Sequence, residues 1–188
     1  FNESTFNEDL DHLRDHYYDR GYLNFALGEP VIDSVGEGKK RRLTIKIPVT
    51  EGGLFRVRTV DVEGNSAYPK STLLAVNEVM PGKPFSRKEM NESRQTMSEI
   101  YGTKGYFNVL IVPSLEPDPK TGTVDLTYKI TENELYYVHR IAFKGNTTTK
   151  DKVIRRQLKI AEGDLFNTAK FKRSLFRVYQ LGYFKEPQ

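Results

Sequence analysis

Residues 57–65 read VRTVDVEGN and residues 138–146 read VHRIAFKGN, and this self-similarity limits the fold more than any other feature of the chain. Gly64 and Gly145 are 145 − 64 = 81 residues apart, and Asn65–Phe85 and Asn146–Phe166 both span 20 residues. A Gly-containing turn precedes each Phe, PGKPF at 81–85 and EGDLF at 162–166. Upstream, VTEGGLFRV (49–57) matches ITENELYYV (130–138). Phe1 to Gly21 and Phe85 to Gly105 again span 20 residues, with tails YDRGYL (18–23), GTKGYF (102–107) and QLGYF (180–184). In the third copy Phe166 to Gly182 is 16, shorter by about one helical turn, which keeps the apolar face in register. A period of this kind means an array of one supersecondary unit.

Periodicity identifies the elements. Phe6, Leu10, Leu13 and Tyr17 lie on one helix face, as do Met90, Met97 and Tyr101, and then Phe171, Leu175 and Val178. Each helix is expected to end at the Gly of the Gly-Tyr pair, which takes a left-handed C′ conformation. Period-two alternation follows, in Leu23, Phe25, Leu27 and again in Phe107, Val109, Ile111. A second alternating run holds Leu43, Ile45, Ile47, Val49, and its counterpart holds Val124, Leu126, Tyr128, Ile130. Gly36–Lys40 and Asp118–Gly122 are the intervening turns. The module is therefore α+β, strand–helix–helix–strand–strand, with two helices on one face of a three-stranded mixed sheet. Residues 1–54 hold the second helix and last two strands of a copy, 55–135 a complete copy, and 136–188 a first strand and two helices. Phe107, Val109, Val124, Leu126, Tyr128, Met97 and Tyr101 are expected in the core. Pro48 sits inside a strand position where Lys129 stands in the next copy. Either that strand is already past its pairing there, or the first sheet is shorter.

Composition narrows the function. Apolar residues are 37% and charged residues 29%, so the chain is globular material. No apolar run approaches the roughly 20 residues of a membrane helix. Phe1 opens on polar sequence with no signal-peptide pattern, and the chain is expected to be a piece of something larger. Absence of cysteine removes thiolate nucleophiles and zinc–thiolate sites. No G-x-S-x-G, Walker loop or dinucleotide fingerprint is present, and Gly36-x-Gly38 lies between strands with no helix N-terminus to hold phosphate. No catalytic residue and no cofactor are expected. His12 and His16 have a metal-compatible spacing but lie off the apolar face without a third ligand, so they read as solvated side chains and no metal is expected. The basic run Lys39–Arg42 sits at a hairpin turn and reads as a soluble loop. A pI near 9.1 admits nucleic acid, but no stacking platform is present and none is expected as a partner.

A βααββ module with Gly-Asn after its first strand and Gly-Tyr-Phe after its second helix resembles the POTRA domain. The resemblance covers essentially the whole chain, and GNTTTKDKVIRRQLKIAEGDLFN resembles the last POTRA before the barrel of a BamA-type protein. It implies the third to fifth modules of a five-module array, on the periplasmic face of the bacterial outer membrane, with a membrane β-barrel following in the same chain. Unfolded outer-membrane proteins and accessory lipoproteins are the implied partners. A TamA-type or two-partner secretion transporter, and a cell-division POTRA scaffold, are the alternatives.

Two surfaces are candidates. The strand after the second helix meets Pro113 in one copy and Pro30 in the other, which marks a sheet edge and agrees with the family's free edge. Phe107, Asn108, Val109, Leu110, Ile111 and Val112, with Leu23, Asn24, Phe25, Ala26 and Leu27, are the expected peptide-binding strands. An open edge offers N–H and C=O groups to an extended peptide, while prolines there also block aggregation. The second surface is electrostatic. Residues 1–54 carry net −3, 55–137 net −1, and 138–188 net +8 from 12 Lys+Arg against 4 Asp+Glu. Arg155, Arg156, Lys159, Lys172 and Arg173, with Glu162, form the expected partner or lipid contact; Lys170 and Arg177 belong to the same basic run. A solvated helix face is the alternative.

Overall fold

A computed structural model describes residues 2–35, 42–146 and 149–183. The first module holds helix α1 (Glu3–Tyr18) and strands β1 (Ala26–Leu27), β2 (Val31–Val35), β3 (Arg42–Lys46) and β4 (Val49–Thr50). The middle module holds β5 (Arg56–Glu63), α2 (Lys70–Leu74), α3 (Arg87–Thr103), β6 (Leu110–Asp118) and β7 (Thr123–Thr131). The last holds α4 (Asp151–Arg155) and α5 (Thr168–Tyr179).

Two compact units do not follow the repeat boundaries. One gathers the residues up to Asp61 with Asn77–Glu92 and Ser114–Thr127; the other gathers Val62–Val76, Ser93–Pro113 and the residues from Tyr128 onward. Each unit thus binds a terminal module to part of the middle one.

In the first unit, Asn2 caps α1 by accepting from Ser4 N at 3.0 Å. The hairpin beyond it is interrupted. β1 pairs with β4, Ala26 opposite Thr50, and β2 pairs with β3, Val31 opposite Lys46. Pairing therefore resumes beyond Pro48, so the strand is not past its pairing there; the first ladder is instead broken into shorter pieces, and Ile47 lies outside any strand. The cause is a proline on each side of the hairpin, Pro30 and Pro48, neither with an N–H for the ladder. Gly28 N donates to Pro48 O at 2.9 Å across the break. The expected turn at Gly36–Lys40 lies outside the described residues.

The middle module has the expected three-stranded mixed sheet, in the order β5-β7-β6. Val124, Leu126, Tyr128 and Ile130 of β7 are all buried, as period two requires of the central strand. Leu73, Met90, Met97 and Tyr101 are the buried apolar side chains of α2 and α3. Burying each such side chain stabilises by about 1.5–3 kcal/mol. Along β5, Val57 and Val62 are both buried although their separation is odd. Arg58 and Thr59, neighbours on that strand, both donate to Asp125 of β7. Two core expectations fail: Phe107 is 56% exposed and Val109 only half-buried.

The Gly-Asn landmark has a local cause. Asn65 Nδ2 donates to Tyr68 O at 2.8 Å, and Asn146 Nδ2 to Thr149 O at 2.9 Å, the same side-chain bond at the matching position of both copies. Gly64 has φ +80°, and a Cβ there would lie 2.1 Å from Ile130 O, so only glycine fits. In the last module residues 138–144, expected as a strand, have no ladder partner among the described residues. Only Tyr137 bridges to Leu165.

Candidate binding edge

The outer sides of β5 and β6 differ. The start of β5 is occupied by the loop before α3: Val57 N donates to Lys83 O at 2.9 Å and Gly82 N to Val57 O at 2.7 Å. No strand pairs with the outer side of β6 among the described residues. β6 is the open edge, as its prolines suggest, but its position needs correction. It begins at Leu110, so Leu110, Ile111 and Val112 of the expected segment are strand, whereas Phe107 and Asn108 form a turn and Val109 precedes the strand. Pro113 lies inside the strand rather than at its end, with Pro117 further along. In the first module, Leu23 and Asn24 are likewise in a turn and Phe25 precedes β1; only Ala26 and Leu27 are strand. Phe25 is buried against Tyr17, the rings stacked at 4.0 Å, and is not available to a visitor.

Long-range bonds hold the 107–108 turn. Asn108 Nδ2 donates to Tyr136 OH at 2.6 Å, and Asn133 Nδ2 donates to Asn108 O at 2.7 Å. Asn133 stands at φ +56°, the one non-glycine at positive φ among the described residues. Phe107 packs edge-on against Tyr136 and Phe166, at 5.9 and 5.4 Å. At the edge itself, Ile111 is 5% exposed while Leu110 and Val112 are 55% and 47% exposed. The strand therefore shows an apolar outward face beside unpaired backbone.

The joints between modules repeat as faithfully as the modules do. Phe55 N donates to Gly21 O at 2.8 Å and Phe85 N to Phe55 O at 3.0 Å. At the next joint Tyr136 N donates to Gly105 O at 2.9 Å and Phe166 N to Tyr136 O at 2.8 Å. Asp19 accepts from Lys88 N at 2.7 Å near the start of α3, and at the equivalent position Thr103 O accepts from Asn167 Nδ2 at 2.7 Å beside α5. Arg87 lies over the Tyr18 ring at 3.8 Å, and Lys172 pairs with Glu99 at 2.8 Å. The Gly of the Gly-Tyr pair is thus a joint contact as well as a helix stop, a role its spacing alone does not show.

A second repeated bond ties helix to strand. Tyr17 OH donates to Glu51 and Tyr101 OH to Glu132, each at 2.9 Å. Glu132 also accepts from Ser66 N, Ser66 Oγ and Ala67 N. Partial burial opposes its ionisation, but the Ser66, Ala67 and Tyr101 donors outweigh that and hold its carboxyl at about 2.

The basic residues do not act as one group. Glu162 accepts from Ile141 N at 2.9 Å and pairs with Arg155 at 3.5 Å, while Arg155 also donates to Ile141 O at 2.9 Å. Those bonds, the Ile141 amide first, keep the Glu162 carboxyl below its ordinary range. Arg155, Glu162 and Lys172 are therefore engaged within the chain. Arg156, Lys159, Lys170 and Arg173 are exposed and form no ion pair among the described residues, and Lys159, Lys170 and Arg173 line one shallow recess. His12 and His16 are exposed, and no group of three His, Asp or Glu suited to a metal occurs among the described residues. Among these residues no helix is long and apolar enough to cross a membrane.

The POTRA family, described as a surface antigen variable number repeat, matches residues 55–133 and 136–187. The chain belongs to the POTRA family. It is 35% identical over its whole length to outer membrane protein assembly factor BamA of Neisseria meningitidis serogroup B, and 31% identical over 95% of its length to BamA of Neorickettsia risticii. It spans 24% of each of these relatives. In structure it is similar to Haemophilus influenzae BamA POTRA3-5, with TM-score 0.81 and 22% identity over 96% of this chain and 70% of that one. The two helices and three strands of the middle module, with β6 at the edge, are thus a POTRA sheet, and the chain is a POTRA array of the BamA type.

Proposed function

We propose that this chain is the periplasmic part of an outer-membrane protein assembly factor and that it binds extended client polypeptides by strand addition to β6. The carrying observation is the outer side of β6, unpaired and apolar at Leu110 and Val112, in a POTRA array similar to BamA. Backbone hydrogen bonds, each worth about 1 kcal/mol net, would supply most of the affinity and make binding tolerant of client sequence. The array turns nothing over and uses neither metal nor cofactor in this reading. Accessory lipoproteins would dock on the last module, whose Arg155–Glu162 pair fixes the loop before α5 and whose free cations stand beside it. A membrane β-barrel would follow in the same chain, and nucleic acid is not a partner. Titrating isotope-labelled chain with an alternating apolar peptide tests the reading. Amide shifts should cluster at Leu110, Ile111 and Val112. Shifts confined to 150–177 that vanish with salt would make the binding electrostatic and defeat it.

The free cations support a second reading, contact with an anionic lipid surface through Lys159, Lys170 and Arg173.

A further inference from the structure

Two features bound the open edge, and together they select what it takes. β6 and β7 are joined through residues 119–122 and so run antiparallel, with N–H groups pointing alternately toward β7 and toward solvent. Proline belongs where its missing donor would have faced solvent. Pro113 and Pro117 are four residues apart and so share one side of the strand. Ile111, two residues before Pro113, has the same polarity, so its N–H points to the open edge and the amide of Val112 points into the ladder. Past Ile111 the next outward donor is missing.

At the other end Phe107, Tyr136, Tyr137 and Phe166 line an open cup of about 220 Å³. Tyr137 is 63% exposed and Phe107 56%. Phe107 precedes the strand by three residues, at most about 10 Å of chain. Asn108 bonds the Tyr136 hydroxyl at the cup's rim, and inside it Phe107 meets Tyr136 and Phe166 ring to ring. It offers apolar ring surface with a wet rim, which suits a large apolar or aromatic side chain.

Resting on the strand-addition reading, we propose that β6 takes a short extended segment, held in register by Ile111, stopped by Pro113, with one large apolar side chain in the aromatic cup. Specificity then comes from one side chain and a fixed register, while the rest of the segment is read through its backbone.

The test uses alternating valine–threonine heptapeptides ending in phenylalanine or alanine, each also in reversed order, against the labelled 188-residue chain. In the free protein the Ile111 amide should exchange fast and the Val112 amide slowly. The better phenylalanine peptide should slow Ile111 exchange and bind about tenfold tighter than its alanine counterpart. Tyr137→Ala, at an exposed position, should erase that preference. Pro113→Val restores a donor and should tighten every peptide about fivefold. If Ile111 becomes protected but phenylalanine gives no preference and Pro113→Val no gain, this inference falls and strand addition stands. A free protein in which Val112 rather than Ile111 exchanges fast overturns it as well. If no peptide protects Ile111, strand addition itself fails.

Discussion

Glu132 is a carboxylate fixed by donors from two directions, a helix tyrosine and the turn after β5. Its carboxyl is lowered in the folded chain, so its contribution is present above the ordinary Glu range and is lost as pH falls from there toward about 2. Glu132→Gln keeps the shape and loses the charge. It should cost about 1–2 kcal/mol at pH 7, a figure reduced for solvent screening. It should also flatten the stability curve between about pH 5 and 2, read by urea unfolding across pH. Glycines give a second comparison. Gly64 and Gly82 both have positive φ, at +80° and +85°, but a Cβ on Gly82 meets nothing within 4 Å, whereas one on Gly64 meets Ile130 O. Alanine at either position costs about 1–2 kcal/mol in backbone strain. Gly64→Ala should cost about 1–3 kcal/mol more, because Ile130 cannot yield without breaking its strand. Equal midpoints in urea would show that the turn relaxes instead.

Among the elements, α5 shows how a cap becomes a joint. Asn167 accepts from Lys170 N as an N-cap and donates to Thr103 O in the preceding module. Asn2 only caps, accepting from Ser4 N. Asn2→Ala should cost about 1 kcal/mol and Asn167→Ala about 2, the excess being the bond to Thr103. Hydrogen exchange of α1 and α5 amides measures both. The helices were legible in the sequence because Met97 and Tyr101, or Phe6 and Leu10, repeat on one face, and β7 because its alternation is unbroken from Val124 to Ile130. Pro113 and Pro30 marked the edge. What periodicity could not show was where the edge begins: Phe107 continues the alternation, yet its ring is drawn to Tyr136 and Phe166, distant in sequence, and the strand waits until Leu110. The same holds for the cations. Lys172 and Lys170 look alike in a charge run, and only Glu99, 73 residues from Lys172, separates them.

At the scale of the molecule, charge is graded along the array, from net −3 over 1–54 to net +8 over 138–188. A uniform gradient would make every basic residue of the last module equivalent toward an anionic membrane. The pairing pattern says otherwise, since Arg155 and Lys172 already spend their charge on Glu162 and Glu99. Lys159, Lys170 and Arg173 around one recess remain for an outside partner. A cation near an anionic bilayer contributes about 1 kcal/mol, so the three together are worth about 3, or roughly a hundredfold in partitioning. The chain should therefore sediment with phosphatidylglycerol-containing vesicles and not with neutral ones, and release as salt rises from about 50 to 200 mM. Replacing Lys159, Lys170 and Arg173 together by alanine should abolish sedimentation, while Lys172→Ala, which changes the charge by one and leaves Glu99 unpaired, should weaken it by no more than about fivefold. Equal losses from the triple variant and from Lys172→Ala would show that the membrane feels net charge and not the recess. Retention by neutral vesicles would place the contact on apolar surface instead. No retention at all at low salt would return these three cations to solvent, or to an acidic protein partner.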